Sequence, residues 1–389
     1  HLRTALQNRS SVEQRRQNFL IETLRGIDTV KAMAMESFIL RRYEKLQAQS
    51  ADSVFELSRI NSLVQGIGAT FSQLAVASFV SVGSLLVISG DLTIGALAAG
   101  TMLSGRVLQP GLKAMGVWTQ FQSVRLATRK VEEFYALEQE RHGDFRPGPE
   151  TAGRLELEGV SFKFHRQENL LLDSVSLGIE PGEAIGITGR NGVGKTTLIR
   201  LLSGFLEPQE GRILFDGRDI REHELEVLRG QIGIVPQHGV IFEGTILENM
   251  TLYREGPAID QAIELSRLLG LDETLARLPD GVNTRIGGSA VDTLSEGLRQ
   301  KIIMVRALVG LPRVMLFDDA NAGFDLGNDA RFADMIKGFK GNHTLVIVSH
   351  RPSLLRICDR RFALANGSLI EVAEDHPVSS AIPLRAAAN

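Results

Sequence analysis

The chain has 389 residues, of which 43% are hydrophobic and 23% are charged, so two or more globular domains are expected. Its net charge of −3 gives no indication of a nucleic-acid partner. The single cysteine, Cys358, excludes an internal disulfide and fits a reducing compartment; we interpret it as a small buried residue rather than a nucleophile. The sequence begins at His1 without Met or a signal-peptide pattern, and we expect that a segment upstream is missing.

The first 59 residues show a helical pattern with a basic bias. In the middle of this segment lies the stretch from Gly26 to Met33, which by itself fits either an ordinary amphipathic turn or a functional segment. The basic residues of the segment are Arg15, Arg16, Lys31, Arg41, Arg42 and Lys45.

The sequence then changes character, because no charged residue occurs from Ile60 to Gly90. As a helix this run would be about 45 Å long at ~1.5 Å per residue, more than the hydrocarbon core of about 30 Å. A second apolar run extends from Leu92 to Met115. Small residues and basic flanks predict a transmembrane hairpin with both ends cytoplasmic and Asp91 outside. The alternative is a buried helical hairpin of a large soluble protein.

Two basic residues lie inside the second run or near its end. A charge at that depth is costly and faces protein, water or the bilayer surface. We expect the Lys113 side chain to extend to the surface, whereas Arg106 fits either a surface or a pore-lining position.

From Arg154 onward the pattern is that of a soluble α/β domain. Leu155–Leu157 and Val160–Phe164 alternate like strands of an antiparallel subsheet, and strand and helix patterns then alternate through Leu364. The composition of Arg146-Pro147-Gly148-Pro149 is that of a linker. The expected organisation is a partial membrane domain over 1–145, a linker over 146–153, an α/β domain over 154–372 and a disordered tail over 373–389.

The stretch from Gly189 to Thr196 fits the phosphate-binding pattern G-x-x-x-x-G-K-[ST] in full, between a strand-like and a helix-like run. Its glycines would let successive backbone N–H groups point at phosphate oxygens. Lys195 would reach the β- and γ-phosphates, and the Thr196 hydroxyl would hold Mg²⁺. The alternative, a glycine-rich turn that only connects two elements, is disfavoured by the complete pattern in this setting.

Three further buried-strand patterns end in polar residues. Asp318 ends the first, Gln237 follows the second and His350 follows the third, and a helix pattern opens at Leu294 between Gln237 and Asp318. With the phosphate loop, this ordered set resembles an ATP-binding cassette (ABC) transporter over essentially the whole chain. The resemblance implies an all-α transmembrane segment followed by a P-loop ATPase domain with a parallel core sheet, an antiparallel subsheet and a helical subdomain.

The resemblance also implies roles for individual residues. Gln237, Thr196 and Asp318 match the Mg²⁺-binding residues, and Asp319, His350 and Gln237 match the catalytic set. Phe164 matches the aromatic residue that stacks on adenine; the less favoured alternative is a core phenylalanine of a strand. The residues implied to contact ATP are Phe164, Gly189, Arg190, Asn191, Gly192, Val193, Gly194, Lys195, Thr196, Thr197, Ser295, Gly297 and Asp325.

In this family each ATP lies between the phosphate loop of one chain and the Leu-Ser-x-Gly stretch of another, so the resemblance implies a homodimer or a heterodimer. The stretch Glu22–Ala32 looks like the second cytoplasmic coupling segment, and the two apolar runs look like the fifth and sixth spans. Ser89–Gly95 and Leu103–Arg106 look most like bacterial type I secretion exporters. Those exporters move protein or peptide cargo across the inner membrane with an adaptor and an outer-membrane channel.

Several positions depart from the family pattern. Asp319 replaces the usual glutamate and is one methylene shorter, and a misplacement of ~1 Å can cost on the order of 10²-fold in rate. Glu296 replaces a glycine of the signature; we expect it to point outward in the first helical turn, where an acid is favourable. The glutamate expected before the signature is replaced at Gly288, and Asn321–Asp325 replaces Thr-Ser-Ala-Leu-Asp.

These observations predict an ATP-driven exporter in the inner membrane. The alternative is a regulatory subunit that binds ATP, hydrolyses it slowly and controls an active partner; Asp319 and the altered signature distinguish the two. A soluble ABC ATPase acting on DNA or ribosomes is disfavoured by the uncharged run from Ile60 to Gly90.

Overall fold

The computed structural model describes residues 2–137, 140, 143–148, 151–165, 168–287 and 294–372. The contacts divide the chain into two compact units, His1–Gln139 and Glu140–Asn389. The expected tail, 373–389, lies outside the described residues.

The first unit is entirely helical where it is described. Helix α3 contacts both α1 and α4, and the short α2 connects α1 to α3 within the stretch expected to be a coupling segment. The helices are α1 Leu2–Arg25, α2 Ile27–Ala32, α3 Glu36–Ile88 and α4 Ile94–Tyr135.

Small residues let α3 and α4 approach each other closely. A Cβ atom on Gly83 would lie 2.4 Å from Cδ1 of Leu97, and one on Gly100 would lie 2.6 Å from Cζ of Phe79. The turn between the helices contains Gly90 at φ +82°. Thr93 begins α4 by accepting a hydrogen bond from the Ala96 N–H at 3.2 Å. The two apolar runs therefore form an antiparallel helical hairpin, in which close packing is typical of membrane helices.

Within the described residues, α3 is long and apolar enough to cross a membrane, and α4 contributes a shorter apolar stretch, Ile94–Ser104. Only 6% of the most apolar window of α3 is buried. This low burial argues against the core helix of a soluble protein, which would be mostly buried.

The second unit is built on a six-stranded sheet with the order β12-β11-β3-β10-β9-β6. Its strands are parallel except for β12. Buried apolar runs such as Thr344–Val348 account for the inner strands, since both faces of a parallel sheet are covered. The strands are β3 Ala184–Thr188, β6 Ile232–Val235, β9 Val314–Asp318, β10 Thr344–Val348, β11 Arg360–Ala365 and β12 Ser368–Glu371.

A second, four-stranded sheet has the order β2-β1-β4-β5 and is antiparallel, as the alternating pattern predicted. The two short strands expected before Phe164 are instead one strand, β1, which is irregular between Leu157 and Val160. A separate two-stranded sheet pairs β7 with β8. The strands are β1 Leu155–Phe162, β2 Leu172–Ile179, β4 Glu210–Phe215, β5 Arg218–Asp219, β7 Gly244–Thr245 and β8 Arg285–Ile286.

Helices cover the sheets and form a helical subdomain, in which α7, α8 and α10 contact one another. The predicted fold class, a helical membrane segment followed by a P-loop α/β domain, is thereby confirmed. The helices of this unit are α5 Lys195–Leu202, α6 Leu225–Gln231, α7 Ile246–Thr251, α8 Pro257–Leu268, α9 Asp272–Leu275, α10 Glu296–Leu308, α11 Leu326–Phe339 and α12 Pro352–Leu355.

The segment expected to be a linker is bound to the second unit. The Phe145 N–H donates to the Glu222 carbonyl at 3.1 Å, and the Glu224 N–H donates to the Phe145 carbonyl at 2.8 Å. Further along, the Asp216 carboxylate accepts hydrogen bonds from three consecutive backbone N–H groups, those of residues 152–154. These bonds explain why the contact boundary falls at 139/140 rather than at 145/146.

Candidate nucleotide-binding site

The phosphate loop connects β3 to α5, the arrangement that its sequence predicts. Gly189 and Gly194 take φ values of +156° and +110°, and a Cβ atom on Gly189 would lie 2.6 Å from the carbonyl oxygen of Leu364. Both sterics and conformation thus require glycine here. The loop ends at the N-terminus of α5, whose free N–H groups favour an anion.

Lys195 lies across the loop and is 7% exposed. Its Nζ donates hydrogen bonds to the carbonyl oxygens of Gly189 at 2.7 Å and Arg190 at 3.2 Å. Thr197 is buried below it, whereas Arg190 and Asn191 are exposed at the tip of the loop. The ammonium group is therefore held beside the loop backbone. The oxygens of a bound phosphate can replace these two carbonyl oxygens as its hydrogen-bond acceptors.

Asp318 is the last residue of β9 and is 5% exposed. Burial raises the pKa of this carboxyl above its usual value, although a hydrogen bond from Thr196 and the charge of Lys195 act in the opposite direction. Thr196 and Asp318 are thus close enough for the Thr196 hydroxyl to influence the carboxylate.

This oxygen pair fits Mg²⁺. The ion is commonly bound through one or two carboxylates together with hydroxyl, water and phosphate oxygens. Among the residues that the structure describes, no group of three or more His, Cys, Asp or Glu side chains could form a separate metal site.

The register of the parallel sheet brings the remaining predicted residues to the same edge. Val348 of β10 pairs with both Ile187 of β3 and Asp318 of β9, and Val235 of β6 pairs with Phe317. The residues that follow these strand ends, which are Gly189, His350 and Gln237, therefore lie at the carboxyl edge together with Asp318. Ligands of open α/β sheets bind at this edge.

Asp319 follows Asp318 in a left-handed backbone conformation, with φ +45°. Its N–H donates to the Val348 carbonyl at 2.9 Å, so its backbone is tied to the strand that leads to His350. The Asp319 side chain is half-buried and that of His350 is exposed. Both candidate catalytic side chains are therefore accessible beside the phosphate loop.

The signature stretch begins α10. Ser295 is the N-cap, and its hydroxyl accepts a hydrogen bond from the Leu298 N–H at 3.3 Å. Glu296 is exposed in the first turn, and its carboxylate lies 3.7 Å from the guanidinium of Arg299. Among the residues that the structure describes, no heavy atom outside the backbone of its own helix would lie within 4 Å of a Cβ atom on Gly297. The departure at Gly288 lies outside the described residues.

Two other residues that the sequence predicts to contact ATP are Phe164 and Asp325. Phe164 is 38% exposed, and its ring meets that of Phe162 edge-on at 5.1 Å. The ring is therefore partly accessible to solvent. Asp325 caps α11 by accepting a hydrogen bond from the Asn328 N–H at 2.8 Å, so its carboxylate already has a partner within the chain.

Sequence reasoning missed a buried polar cluster next to the site, centred on Asp329. Its other members are Asn321, Ser349, Arg351 and Ser353. Asn321 was noticed only as a departure from the family pattern. The remaining signal was an acidic residue within the first turn of α11, which by itself is typical of helix termini in general.

The fold and this edge define a P-loop nucleotide-binding domain that follows a helical unit. The family description "ABC transporter" matches residues 172–322. The description "ABC transporter transmembrane region" matches residues 1–110. The chain belongs to the ABC transporter family and contains part of its transmembrane region together with its ATP-binding domain.

Similar proteins include bacterial ATP-binding proteins named for translocation or secretion. The alpha-hemolysin translocation ATP-binding protein of Escherichia coli is 33% identical over 95% of this chain and 52% of its own length. The cyclolysin secretion/processing ATP-binding protein of Bordetella pertussis is 33% identical over 91% of this chain and 50% of its own length. The chain thus spans about half the length of the curated relatives that it matches.

A solved structure supports the same assignment. A bacterial Atm1-family ABC exporter with ATP bound has a TM-score of 0.79 and 26% identity, over 95% of this chain and 66% of that chain. The match extends over both units.

Proposed function

We propose that this chain is an ATP-driven ABC exporter subunit that uses ATP binding and hydrolysis to rearrange its membrane domain. The observation that carries the proposal is the convergence of Lys195, Asp318, Asp319 and His350 at one sheet edge, in a chain that also contains a long exposed apolar helix. The relatives named for toxin translocation and secretion favour protein or peptide cargo.

In this proposal each residue has a chemical task. The loop N–H groups and Lys195 bind the phosphates, with Arg190, Asn191, Val193 and Thr197 shaping the loop. Thr196, Asp318 and Gln237 hold Mg²⁺, which when bound neutralises phosphate charge. Asp319 orients the attacking water, and His350 contacts the terminal phosphate.

The proposal includes a dimer, either of two copies of this chain or with a related subunit. Ser295, Gly297 and Asp325 of one chain then complete the site on its partner. Adaptor and outer-membrane channel proteins are further proposed partners, by analogy with the secretion exporters. The proposed location is the bacterial inner membrane, with several spans and a cytoplasmic ATPase domain.

A second function is favoured by a specific observation. The shorter carboxylate of Asp319 extends from a backbone in the left-handed region, a conformation that non-glycine residues rarely adopt. A carboxylate placed about 1 Å too far from the water would slow hydrolysis on the order of 10²-fold. The chain would then be a regulatory ATP-binding subunit of a heterodimer.

The deciding experiment measures ATP turnover and ATP binding of the purified protein in lipid vesicles. For an active exporter, Asp319→Asn should lower turnover by about 10²-fold without weakening ATP binding. Lys195→Ala should abolish both. Lys337→Ala is the matched control, because Lys337 is an exposed lysine whose partner is Asp334 of the same helix.

Two other results would each contradict one part of the proposal. Unchanged turnover in Asp319→Asn would show that Asp319 is not the catalytic carboxylate. ATP binding without turnover in the unmodified protein, with turnover gained in Asp319→Glu, would establish the regulatory function instead.

A further inference from the structure

A buried carboxylate lies behind the candidate catalytic edge. Asp329, in the first turn of α11, is 6% exposed. Its carboxylate accepts hydrogen bonds from the Asn321 side-chain amide and from the Ser353 hydroxyl, the latter at 2.6 Å. The Arg351 guanidinium lies 3.3 Å away. One cation and two neutral donors thus satisfy this charge, which would be costly to bury without them.

These donors come from two segments that are distant in the sequence. Asn321 belongs to the loop 319–325, which begins at the candidate catalytic Asp319. Arg351 and Ser353 belong to the segment 349–353, which contains His350. The carboxylate of Asp329 therefore connects the loop that carries one candidate catalytic group to the segment that carries the other.

Arg351 strengthens the connection through the backbone. Its Nη2 donates to the Phe324 carbonyl at 2.8 Å and to the Ala322 carbonyl at 3.4 Å. The hydroxyl of Ser349 accepts from the Arg351 N–H at 3.1 Å and donates to Asn321 Oδ1 at 3.4 Å. The two segments are thus joined at several points, and neither can move alone without leaving buried polar groups unpaired.

We propose that Asp329 is a positioning residue that locks the loop 319–325 to the segment 349–353, so that Asp319 and His350 move as one unit. We call this connection between the loop 319–325 and the segment 349–353 the lock. Its effect on hydrolysis rests on the proposed function, whereas the lock itself does not. Asn321 is part of the lock, because its amide supplies the donor that Asp329 accepts. The resemblance places threonine at this position, and its shorter side chain carries no amide donor.

The test compares Asp329→Asn with the matched control Asp334→Asn in the full protein. Asp334 lies on the same helix, where it forms an exposed ion pair with Lys337. Amide hydrogen exchange without nucleotide reports on the lock, and ATP turnover reports on its consequence. In Asp329→Asn, exchange should become about 10- to 100-fold faster in both segments, because a buried charged hydrogen-bond network is lost.

Turnover in Asp329→Asn should fall through kcat, with KM for ATP little changed, because the phosphate loop is not altered. The control should change neither measurement. Faster exchange in only one of the two segments, or in neither, would overturn the lock. If Asp329→Asn does not fold, Ser353→Ala and Asn321→Ala each remove one donor, and unchanged exchange in both would also overturn it.

Failure of the proposed function can be distinguished from failure of the lock. If the unmodified protein has no ATP turnover but Asp329→Asn still shows faster exchange in both segments, the lock is supported and the proposed function is rejected. Normal turnover in Asp329→Asn, together with faster exchange, rejects the role of the lock in positioning Asp319 and His350.

Discussion

The helical unit and the nucleotide-binding unit bury apolar side chains to very different extents. Among the described residues of the helical unit, the buried hydrophobic side chains are Val12, Val30 and Leu57. The second unit contains two large clusters of buried apolar residues, one on each side of the parallel sheet. Many large apolar residues of α3, such as Phe71 and Leu74, are instead exposed.

This difference shows what stabilises each unit. The second unit satisfies the hydrophobic effect within itself, as a soluble domain must. The apolar surface of α3 requires another apolar environment, which lipid or further membrane helices provide. Loss of a large apolar side chain should therefore destabilise the second unit much more than the helical unit. A charge on the apolar surface should instead be more costly in the helical unit.

The largest expected effect is the loss of an aromatic ring from the core of the second unit. Phe332 is fully buried and packs against Phe317 and Phe324 at ring-centroid distances of 5.6 and 6.0 Å. Phe332→Ala should lower the free energy of unfolding by about 3–5 kcal/mol. Urea unfolding in detergent measures this.

The matched change in the helical unit is Phe71→Ala, since Phe71 is 68% exposed. It should change the free energy of unfolding by less than about 0.5 kcal/mol. Comparable losses in the two variants would refute the contrast.

A charge on the apolar helix should have the next largest effect. Leu74 is 62% exposed within α3, and Leu74→Arg should weaken membrane insertion by about 2.5–3.5 kcal/mol. A glycosylation-based insertion assay measures the shift. The control is Val240→Arg, because Val240 is similarly exposed in the second unit. If the inserted fraction of Leu74→Arg equals that of Val240→Arg, α3 lies outside the bilayer.

The smallest expected effect concerns pH and is confined to the second unit. His223 is buried between Phe145 and Phe215, and burial lowers its pKa. The folded chain therefore keeps the neutral ring, while the unfolded chain binds a proton below about pH 6.5. The free energy of unfolding should fall as the pH drops below that value, by at most about 1.4 kcal/mol per pH unit.

Acid unfolding curves of His223→Gln test this prediction. The variant should lose stability at neutral pH but show a weaker pH dependence between pH 6.5 and pH 5. The exposed His238 provides the control, and His238→Gln should keep the original dependence. Identical slopes in all three proteins would show that His223 does not cause the acid sensitivity.

Much of the candidate site was predictable because it depends on local patterns. A strand, a glycine-rich loop and a helix start adjoin in the sequence, so Gly189–Thr196 identifies itself without tertiary information. The polar residues at strand ends, Asp318 and His350, were predictable because parallel strands bring their carboxyl ends to one edge. The position of Glu296 in the first turn of a helix was also predictable, because the signature pattern opens a helix.

Other features were not predictable, because they depend on groups that are far apart in the sequence. The segment 146–153 has the composition of a linker, yet Asp216 binds three of the backbone N–H groups near its end. Asp325 was expected to contact ATP, and within the chain its carboxylate already caps α11. Composition reports the polarity of such residues but not their partners.

The sequence by itself determined the family, the two-unit organisation and the identity of the phosphate loop, because each depends on hydrophobic periodicity or on residues that are neighbours in the chain. The tertiary structure decided which polar groups meet. Burial around Asp318 raises its pKa, and the Asp329 cluster joins Asn321 to Arg351 across the fold. Both effects arise from the surroundings that non-adjacent segments create, and a local pattern carries no information about those surroundings.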